Sequence, residues 1–164
     1  MTVSQRPTDV FKLEHQEVLK KLDALENIFS RLDERGAVAA ELGELAAFFK
    51  TDFWLHFIKE EEALFPEMEK FIPRESGPIA VMLAEHEDLR STNDNLQQYT
   101  ADYLSGSDKD ETKRAIQGFG SRFIGTLREH IDKEDNILFQ MADMHLDNSQ
   151  IDAIISRFHK LENS

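Results

Sequence analysis

The stretches "HFIKEEEALF" (residues 56–65) and "HIDKEDNILF" (residues 130–139) share one order of residues. In each, a histidine is followed by a lysine three positions later and by a glutamate four positions later, and the stretch ends in Leu-Phe. Side chains four positions apart lie on the same face of an α-helix. Because the remainder of that face is Phe and Leu, we predict two amphipathic helices that each direct a histidine and a glutamate towards the core.

The composition favours an all-α protein. With 164 residues, of which 40% are hydrophobic and 31% charged, the chain can bury a core as one domain. It contains only 7 Gly and 4 Pro, and the segments between them have a helical period rather than an alternating one. We therefore predict a single domain over residues 1–164. It is an up-down-up-down four-helix bundle over about residues 8–145, with a short additional C-terminal helix over about residues 148–161.

Turn residues and apolar periodicity place the four long helices over about residues 8–36, 38–65, 78–104 and 111–144. Thr8 or Asp9 can cap the first of these helices, and Gly36 can end it. The residues "LDNS" (146–149) form a cap signal for the fifth and shorter helix.

Charge and cysteine content exclude several classes of function. The net charge of −13 argues against nucleic acid and anionic membranes as partners. No apolar run is long enough to span a bilayer, and the first ten residues do not form a signal peptide, so we expect a cytoplasmic protein. The absence of cysteine excludes disulfides, thiolate zinc sites and iron–sulfur clusters, so any metal must be held by nitrogen and oxygen.

Each of the four long helices carries one histidine on its apolar face. His15, for example, has Phe11 one turn before it and Leu22 two turns after it. A single histidine in such a position is usually a core residue, but four of them, two with a glutamate one turn later, favour a metal site. The predicted metal ligands are His15, His56, Glu60, His86, His130 and Glu134. His145 and His159 lie outside the pattern, and we expect them at the surface.

The pattern is duplicated along the chain, since "EH" also occurs twice, at residues 14–15 and 85–86. The sequence therefore indicates two helical hairpins of one design, related by a pseudo-two-fold axis, each supplying two histidines and one glutamate. Two buried carboxylates are costly unless a cation compensates them, and a metal bound between the hairpins removes that cost.

Six ligands exceed what one tetrahedral zinc ion takes, so we predict two ions about 3.5 Å apart. One ion is assigned to His15 with His56, and the other to His86 with His130. The two glutamates are expected to bridge both ions. Mixed imidazole and carboxylate ligands suit iron, with manganese and zinc as competitors, and leave room for one external ligand on each ion.

Several glutamates lie next to the predicted ligands in sequence. Glu14, Glu85 and Glu129 each precede a histidine. Because adjacent helical residues point about 100° apart, we expect these three to face solvent. Glu61 and Glu62 follow a predicted ligand, and for the same reason we expect them to have no chemical role.

Arg90 is the one cationic residue that we single out near the predicted ligands. It lies one turn after His86 and therefore shares the face of that histidine. It can neutralise an anion at the site or gate access to it, or it can extend to the edge of the bundle.

The whole pattern resembles the hemerythrin-like proteins, also called HHE cation-binding domains. The resemblance rests on His15, the two ten-residue stretches and the "EH" at 85–86, and it covers about residues 8–160. It implies a non-haem centre of two iron ions bridged by carboxylates and by an oxo or hydroxo group.

Arg90 marks a departure from part of this family. Oxygen-carrying hemerythrins have a His-x-x-x-His pair on the third helix, and Arg90 stands where the second histidine would be. The set of four histidines and two glutamates is instead similar to the di-iron domain of bacterial proteins that repair iron–sulfur centres. Those proteins usually carry a further N-terminal segment with cysteine, and this sequence contains no cysteine.

Three functions are compatible with such a centre. The first is a stress-response protein that binds or reduces a small diatomic molecule or peroxide, namely O2, NO or hydrogen peroxide. The second is an iron store or donor, or a sensor of iron or oxygen. The third is a structural metal that ties the bundle together.

Overall fold

The structure is a computed structural model that describes residues 5–163. All regular secondary structure in this range is helical, and none of these helices combines the length and apolar character that a membrane crossing requires. The α-helices are α1 (Pro7–Phe29), α2 (Arg35–Lys50), α3 (Asp52–Lys59), α4 (Phe65–Met68), α5 (Pro78–Leu104), α6 (Asp110–Lys133), α7 (Phe139–His145) and α8 (Asn148–Glu162). Two π-helical segments, π1 (Glu60–Leu64) and π2 (Glu134–Leu138), continue α3 into α4 and α6 into α7 without a break.

The helices form four rods that pack as a bundle. Helix α1 is the first rod, α2 to α4 with π1 form the second, α5 is the third, and α6 to α7 with π2 form the fourth. Each rod packs against the rod that follows it, and α1 also packs along α6, which closes the bundle. Helix α8 lies across α3 and π1. The predicted all-α bundle with an additional C-terminal helix is therefore confirmed.

The start of α1 differs from the expected one. The helix begins at Pro7, where a missing N–H costs nothing, so Thr8 and Asp9 lie inside the first turn and neither is the N-cap. The Asp9 carboxylate accepts a hydrogen bond of 3.1 Å from the backbone N–H of Arg6, which is the N-cap residue. The helix also ends before Gly36, which lies in the first turn of α2.

The second rod is interrupted where one continuous helix was expected. Thr51 separates α2 from α3, with φ −127° and ψ −71°, outside the helical range. Its hydroxyl donates a hydrogen bond of 3.0 Å to the carbonyl of Ala47, so the side chain satisfies a carbonyl at the end of α2.

The cap predicted for the last helix is present. The carboxylate of Asp147 accepts a hydrogen bond of 2.8 Å from the backbone N–H of Gln150. The Gln150 side chain in turn accepts one of 3.1 Å from the N–H of Asp147. This reciprocal capping box starts α8 at the position that the sequence indicates.

The interior of the bundle contains two separate apolar clusters. Phe57 and Phe123 belong to the larger one, which is built from α1, α2, α3, α5 and α6. Phe11, Phe65 and Phe139 belong to the second one, which α8 covers. Rings from both clusters contact the predicted ligand histidines, so the polar residues form a layer between the two clusters.

Candidate metal centre

The six residues predicted as metal ligands meet in the middle of the bundle. Each rod contributes to the set, because the histidines come from α1, α3, α5 and α6, and the glutamates begin π1 and π2. All six are buried, with exposed fractions of 2% for His15, 6% for His56, and 0% for Glu60, His86, His130 and Glu134. That they bind metal stays a prediction, and the geometry of the set can be tested against it.

The six residues form two overlapping groups of four. The first group is His15, His56, Glu60 and Glu134, and the second is Glu60, His86, His130 and Glu134. In each group one donor atom from every residue lies within 4.8 Å of the others. Both glutamates belong to both groups, so each group has two nitrogen and two oxygen donors.

The imidazoles are paired within these groups. Nε2 of His15 lies 3.0 Å from Nε2 of His56, and Nε2 of His86 lies 3.2 Å from Nε2 of His130. These are the two pairs that the sequence analysis assigned to one ion each. Two nitrogens at such a distance can share a proton or, in neutral form, point at one cation.

The carboxylates of Glu60 and Glu134 are buried without a hydrogen-bond donor in the described part of the chain. Nε2 of His56 lies 2.8 Å from Glu60 Oε1, and Nε2 of His15 and of His130 each lie 3.2 Å from Glu134 Oε1. Even so, none of the four carboxylate oxygens accepts a hydrogen bond from the described part of the chain. Buried carboxylates in this state are costly. A cation compensates them, and neutral imidazole with carboxylate is a donor set that suits iron, manganese or zinc, so these residues fit a metal centre.

Each glutamate stands at the start of a π-helical turn. The backbone N–H of Phe65 bonds the carbonyl of Glu60, and that of Phe139 bonds the carbonyl of Glu134, five residues apart instead of four. π-Turns inside α-helices occur frequently at functional sites. The sequence analysis expected continuous α-helix here, because one widened turn leaves the apolar periodicity on either side of it intact.

The outer nitrogen of every one of the four histidines bonds a carboxylate. The Nδ1 distances are 2.8 Å for His15 to Asp135, 2.6 Å for His56 to Glu14, 2.6 Å for His86 to Glu61 and 2.9 Å for His130 to Glu85. Since a carboxylate only accepts, Nδ1 carries a proton in all four rings, and in a neutral ring the lone pair of Nε2 points inwards. Carboxylates in this position fix the orientation of metal-binding imidazoles and increase their basicity.

This arrangement corrects the expectations for the neighbouring glutamates. Glu14 and Glu85 do not simply face solvent, and Glu61 has a role, since each bonds a histidine on another helix. Asp135 was not singled out from the sequence, although it follows Glu134 as Glu61 follows Glu60 in the duplicated stretch. The expectation failed because it considered only the direction of each side chain on its own helix and not the packed neighbour. Glu62 and Glu129 are exposed, as expected.

Three of the four carboxylates also pair with a cationic side chain. Lys59 Nζ lies 3.1 Å from Glu14, and Lys133 Nζ lies 2.5 Å from Glu85. These lysines occupy equivalent positions in the duplicated stretches. An ion pair with a lysine restrains the position of the carboxylate. The carboxylate in turn restrains the histidine that it bonds.

Arg90 pairs with the third carboxylate. Its Nη2 lies 3.1 Å from each oxygen of Glu61, and its Nη1 lies 2.7 Å from Glu87. The guanidinium carbon lies 5.9 Å from the centre of the Trp54 ring. Arg90 therefore neutralises an anion of the protein itself, the carboxylate that holds His86.

Burial keeps two of the histidines in the form that binds metal. It lowers the pKa of His15 and of His130 below the usual 6.5, and this effect outweighs the opposing influence of Asp135 and Glu85. Both imidazoles are therefore neutral near pH 7, the state in which a ring nitrogen can coordinate a cation.

The remaining histidines lie away from the site. His145 and His159 are exposed, as expected from the sequence, and His145 lies against the ring of Phe71 at 4.9 Å between ring centres. Neither belongs to either group of converging donors in the described part of the chain.

The family of this chain agrees with the geometry of the site. A sequence model of the Hemerythrin HHE cation binding domain matches residues 6–142. The chain belongs to this family, as the duplicated His-Glu stretches predict.

Within this family, the chain is similar to iron-sulfur cluster repair proteins. The chain is 31% identical over 130 residues to the iron-sulfur cluster repair protein YtfE of Musicola paradisiaca (strain Ech703), covering 78% of this chain and 59% of that protein. It is 36% identical over 100 residues to the protein of the same name from Yersinia pestis (strain Pestoides F), covering 60% of this chain and 45% of that protein. The chain thus spans about half the length of the curated relatives that it matches. No solved structure matches it at a significant level.

Proposed function

We propose that this chain is a hemerythrin-like protein with two iron ions that binds or reduces a small oxidant, O2, NO or hydrogen peroxide, in the response to stress. The observation that carries the proposal is the sharing of Glu60 and Glu134 by both groups of donors. A carboxylate common to two sets of ligands can bridge two ions. On this proposal His15 and His56 hold one ion, and His86 and His130 hold the other.

Iron is the proposed metal for two reasons. The donor set of two imidazoles and two carboxylates per ion suits iron, although manganese and zinc can use the same donors. The relatives are named iron-sulfur cluster repair proteins, a name that refers to iron. Iron bound here would supply one-electron chemistry, which a small oxidant requires.

The residues of the chain restrict what can approach the centre. Phe57 stacks on His86 with 3.8 Å between ring centres, and Phe139 stacks on His15 at 5.6 Å. Phe11 meets His56 edge-on at 4.8 Å. Buried rings around the histidines exclude large substrates, so they support a small partner rather than nucleic acid or a membrane.

A rapid-mixing experiment tests this proposal. Metal-free protein is loaded with Fe2+ under anaerobic conditions and mixed separately with O2, with NO and with hydrogen peroxide, while the visible spectrum is recorded. We expect a spectral change with at least one of the three that is absent from Glu60→Ala protein treated in the same way. Iron-loaded protein that reacts with none of them would overturn the proposal.

A second candidate is iron donation, which the printed name of the relatives favours. Ferrous protein would be incubated anaerobically with a metal-free iron–sulfur protein, sulfide and a thiol, and formation of the cluster followed by absorbance. Transfer that survives a competing chelator, without reaction towards the three oxidants, would favour this candidate. Zinc in place of iron, by elemental analysis of protein made in metal-replete medium, would indicate a structural metal.

A further inference from the structure

Helix α8 packs on the elements that carry one half of the candidate metal centre. It lies outside residues 6–142, the part of the chain that the family model matches. Ile154 and Phe158, which are 0% and 3% exposed, anchor it over α3 and π1. These elements carry His56 and Glu60, so the helix is adjacent to the half of the site supplied by the first hairpin.

A continuous chain of charged groups connects the end of α8 to His56. Glu162 Oε1 lies 2.8 Å from Lys59 Nζ, and Lys59 Nζ lies 3.1 Å from Glu14 Oε1. The other oxygen of Glu14 accepts the 2.6 Å hydrogen bond from Nδ1 of His56. The carboxylate that orients His56 is therefore itself held by α8, through Lys59.

Aromatic contacts provide a second connection between the same two ends. Lys59 Nζ lies 5.6 Å from the centre of the Phe158 ring. Phe158 contacts Phe11 edge-on at 5.1 Å, and Phe11 contacts His56 edge-on at 4.8 Å. Displacement of α8 would therefore loosen both the carboxylate and the ring that restrain His56.

Lys133, the lysine equivalent to Lys59 in the second ten-residue stretch, is not covered by α8 in the described part of the chain. Lys133 pairs with Glu85 behind His130, but its side chain is 41% exposed, against 6% for Lys59. Exposed ion pairs are screened by water and salt and restrain their partners weakly, whereas buried ones are screened much less. The two halves match in residue order, yet the lysines behind His56 and His130 differ in burial.

We propose that Glu162 and Lys59 are positioning residues through which α8 fixes His56 and thereby strengthens the binding of the ion at His15 and His56. The proposal rests on the two-ion centre proposed above. Its physical basis is preorganisation, because a ligand already held in its binding direction loses less freedom when the metal binds.

Titration of metal-free protein with Co2+, followed by its visible absorption, tests the proposal. Wild-type protein should bind two equivalents. Glu162→Gln should weaken one of them by about tenfold, the lower end of the loss seen when a partner behind a metal ligand is removed, and leave the other unchanged. Lys59→Met should have an effect at least as large, because it breaks the same chain at the next position.

Glu87→Gln is the matched control for Glu162→Gln. It removes the same charge from a comparable chain, Glu87 to Arg90 to Glu61 to His86, but the Glu87 side chain is 75% exposed, against 42% for Glu162. We expect both Co2+ affinities to remain unchanged in this variant. An equal effect of the two substitutions would show that charge alone matters, and it would overturn the positioning role of α8.

A second measurement needs no metal. The exchange rate of the imidazole Nδ1 proton, measured by NMR on metal-free protein, should rise for His56 and not for His130 in Glu162→Gln. Unchanged exchange together with unchanged Co2+ affinities would overturn the inference. If wild-type protein binds no metal at all, the proposed centre fails, whereas faster exchange at His56 would still support the link from α8.

Discussion

Glu14 on α1 accepts a 2.6 Å hydrogen bond from His56 on α3, while its sequence neighbour His15 bonds Asp135 after α6. Each of the four candidate histidine ligands is oriented in this way by a carboxylate on a different helical segment. Because a small change in the packing of two helices moves a ligand relative to its carboxylate, the site and the bundle depend on each other.

The carboxylates behind the histidines should be needed for metal affinity. Glu61→Gln keeps the shape of the side chain but makes a neutral and weaker acceptor for His86, so metal affinity should fall by about 10-fold to 100-fold. Isothermal titration of metal-free protein with Co2+ or Fe2+ measures the change. Glu62→Gln is the matched control, since Glu62 is the adjacent residue and is exposed. Equal affinities of the two variants would contradict the role of Glu61.

Loss of a ligand should remove metal while loss of a surface histidine should not. His56→Ala and Glu60→Ala each remove one donor from a buried group, so we expect each variant to lose at least one of the two ions. Elemental analysis after purification from iron-replete medium gives the metal content per chain. His145→Ala should keep the wild-type content, because His145 is exposed at the end of α7. Full iron content in His56→Ala protein would disprove the assignment.

The stability of the metal-free protein should depend on pH through the pair of His56 and Glu60. Burial lowers the pKa of His56, but the carboxylates of Glu60 and Glu14 together outweigh it and raise this pKa from 6.5 to about 9. Burial raises the pKa of Glu60, but the imidazoles of His56, His86 and His130 together outweigh it and lower this pKa from 4.5 to about 2. The contribution of His56 is complete below pH 6.5 and is lost as pH rises through about 9. That of Glu60 is complete above pH 4.5 and is lost as pH falls through about 2.

The contribution of this pair to the free energy of unfolding should therefore be greatest between pH 4.5 and 6.5. Urea unfolding of chelator-treated protein over a series of pH values measures it. Glu60→Gln removes the partner charge, so this variant should lose less stability than wild type between pH 7 and 9. A wild-type profile that rises over that interval would show that the pair is not charged in the metal-free protein.

Close packing between α1 and α6 should make substitution of Gly120 destabilising. A Cβ added at Gly120 would lie 2.5 Å from a ring carbon of Phe29, so Gly120→Ala should destabilise the protein by about 1–3 kcal/mol. Gly118→Ala is the control in the same helix, since nothing lies within 4 Å of its added Cβ, and it should stabilise by up to about 1 kcal/mol. Chemical denaturation of the two variants compares them directly. Similar stabilities would mean that Phe29 moves aside without cost.

The inward-facing residues could be predicted because they follow a rule within one helix. His56 and Glu60 lie one turn apart on a face that is otherwise apolar. The same pair recurs at His130 and Glu134, which indicates that the pattern is not accidental. Burial of all of them follows from that face alone, since the face that carries Phe and Leu is the one that packs.

The partners of these residues could not be predicted by the same rule. Whether Glu61 reaches His86 depends on how closely π1 and α5 approach, which no periodicity within one helix expresses. The π-turn at Glu60 could not be predicted from the sequence either, because it depends on the packing around the glutamate and not on the helix propensity of "EEEAL". The interruption at Thr51 could not be predicted either, because Thr92 and Thr100 lie within the continuous helix α5 and residue type alone does not indicate a break.

Because each donor group is divided between the two hairpins, a metal bound there would hold the hairpins together. Glu60 belongs to the group that contains His86 and His130, and Glu134 belongs to the group that contains His15 and His56. Residues 73–77, which join the hairpins, are exposed and can be cut by a protease. The nicked chain would behave as a split protein, whose fragments reassemble most strongly when metal is present and separate when a chelator removes it.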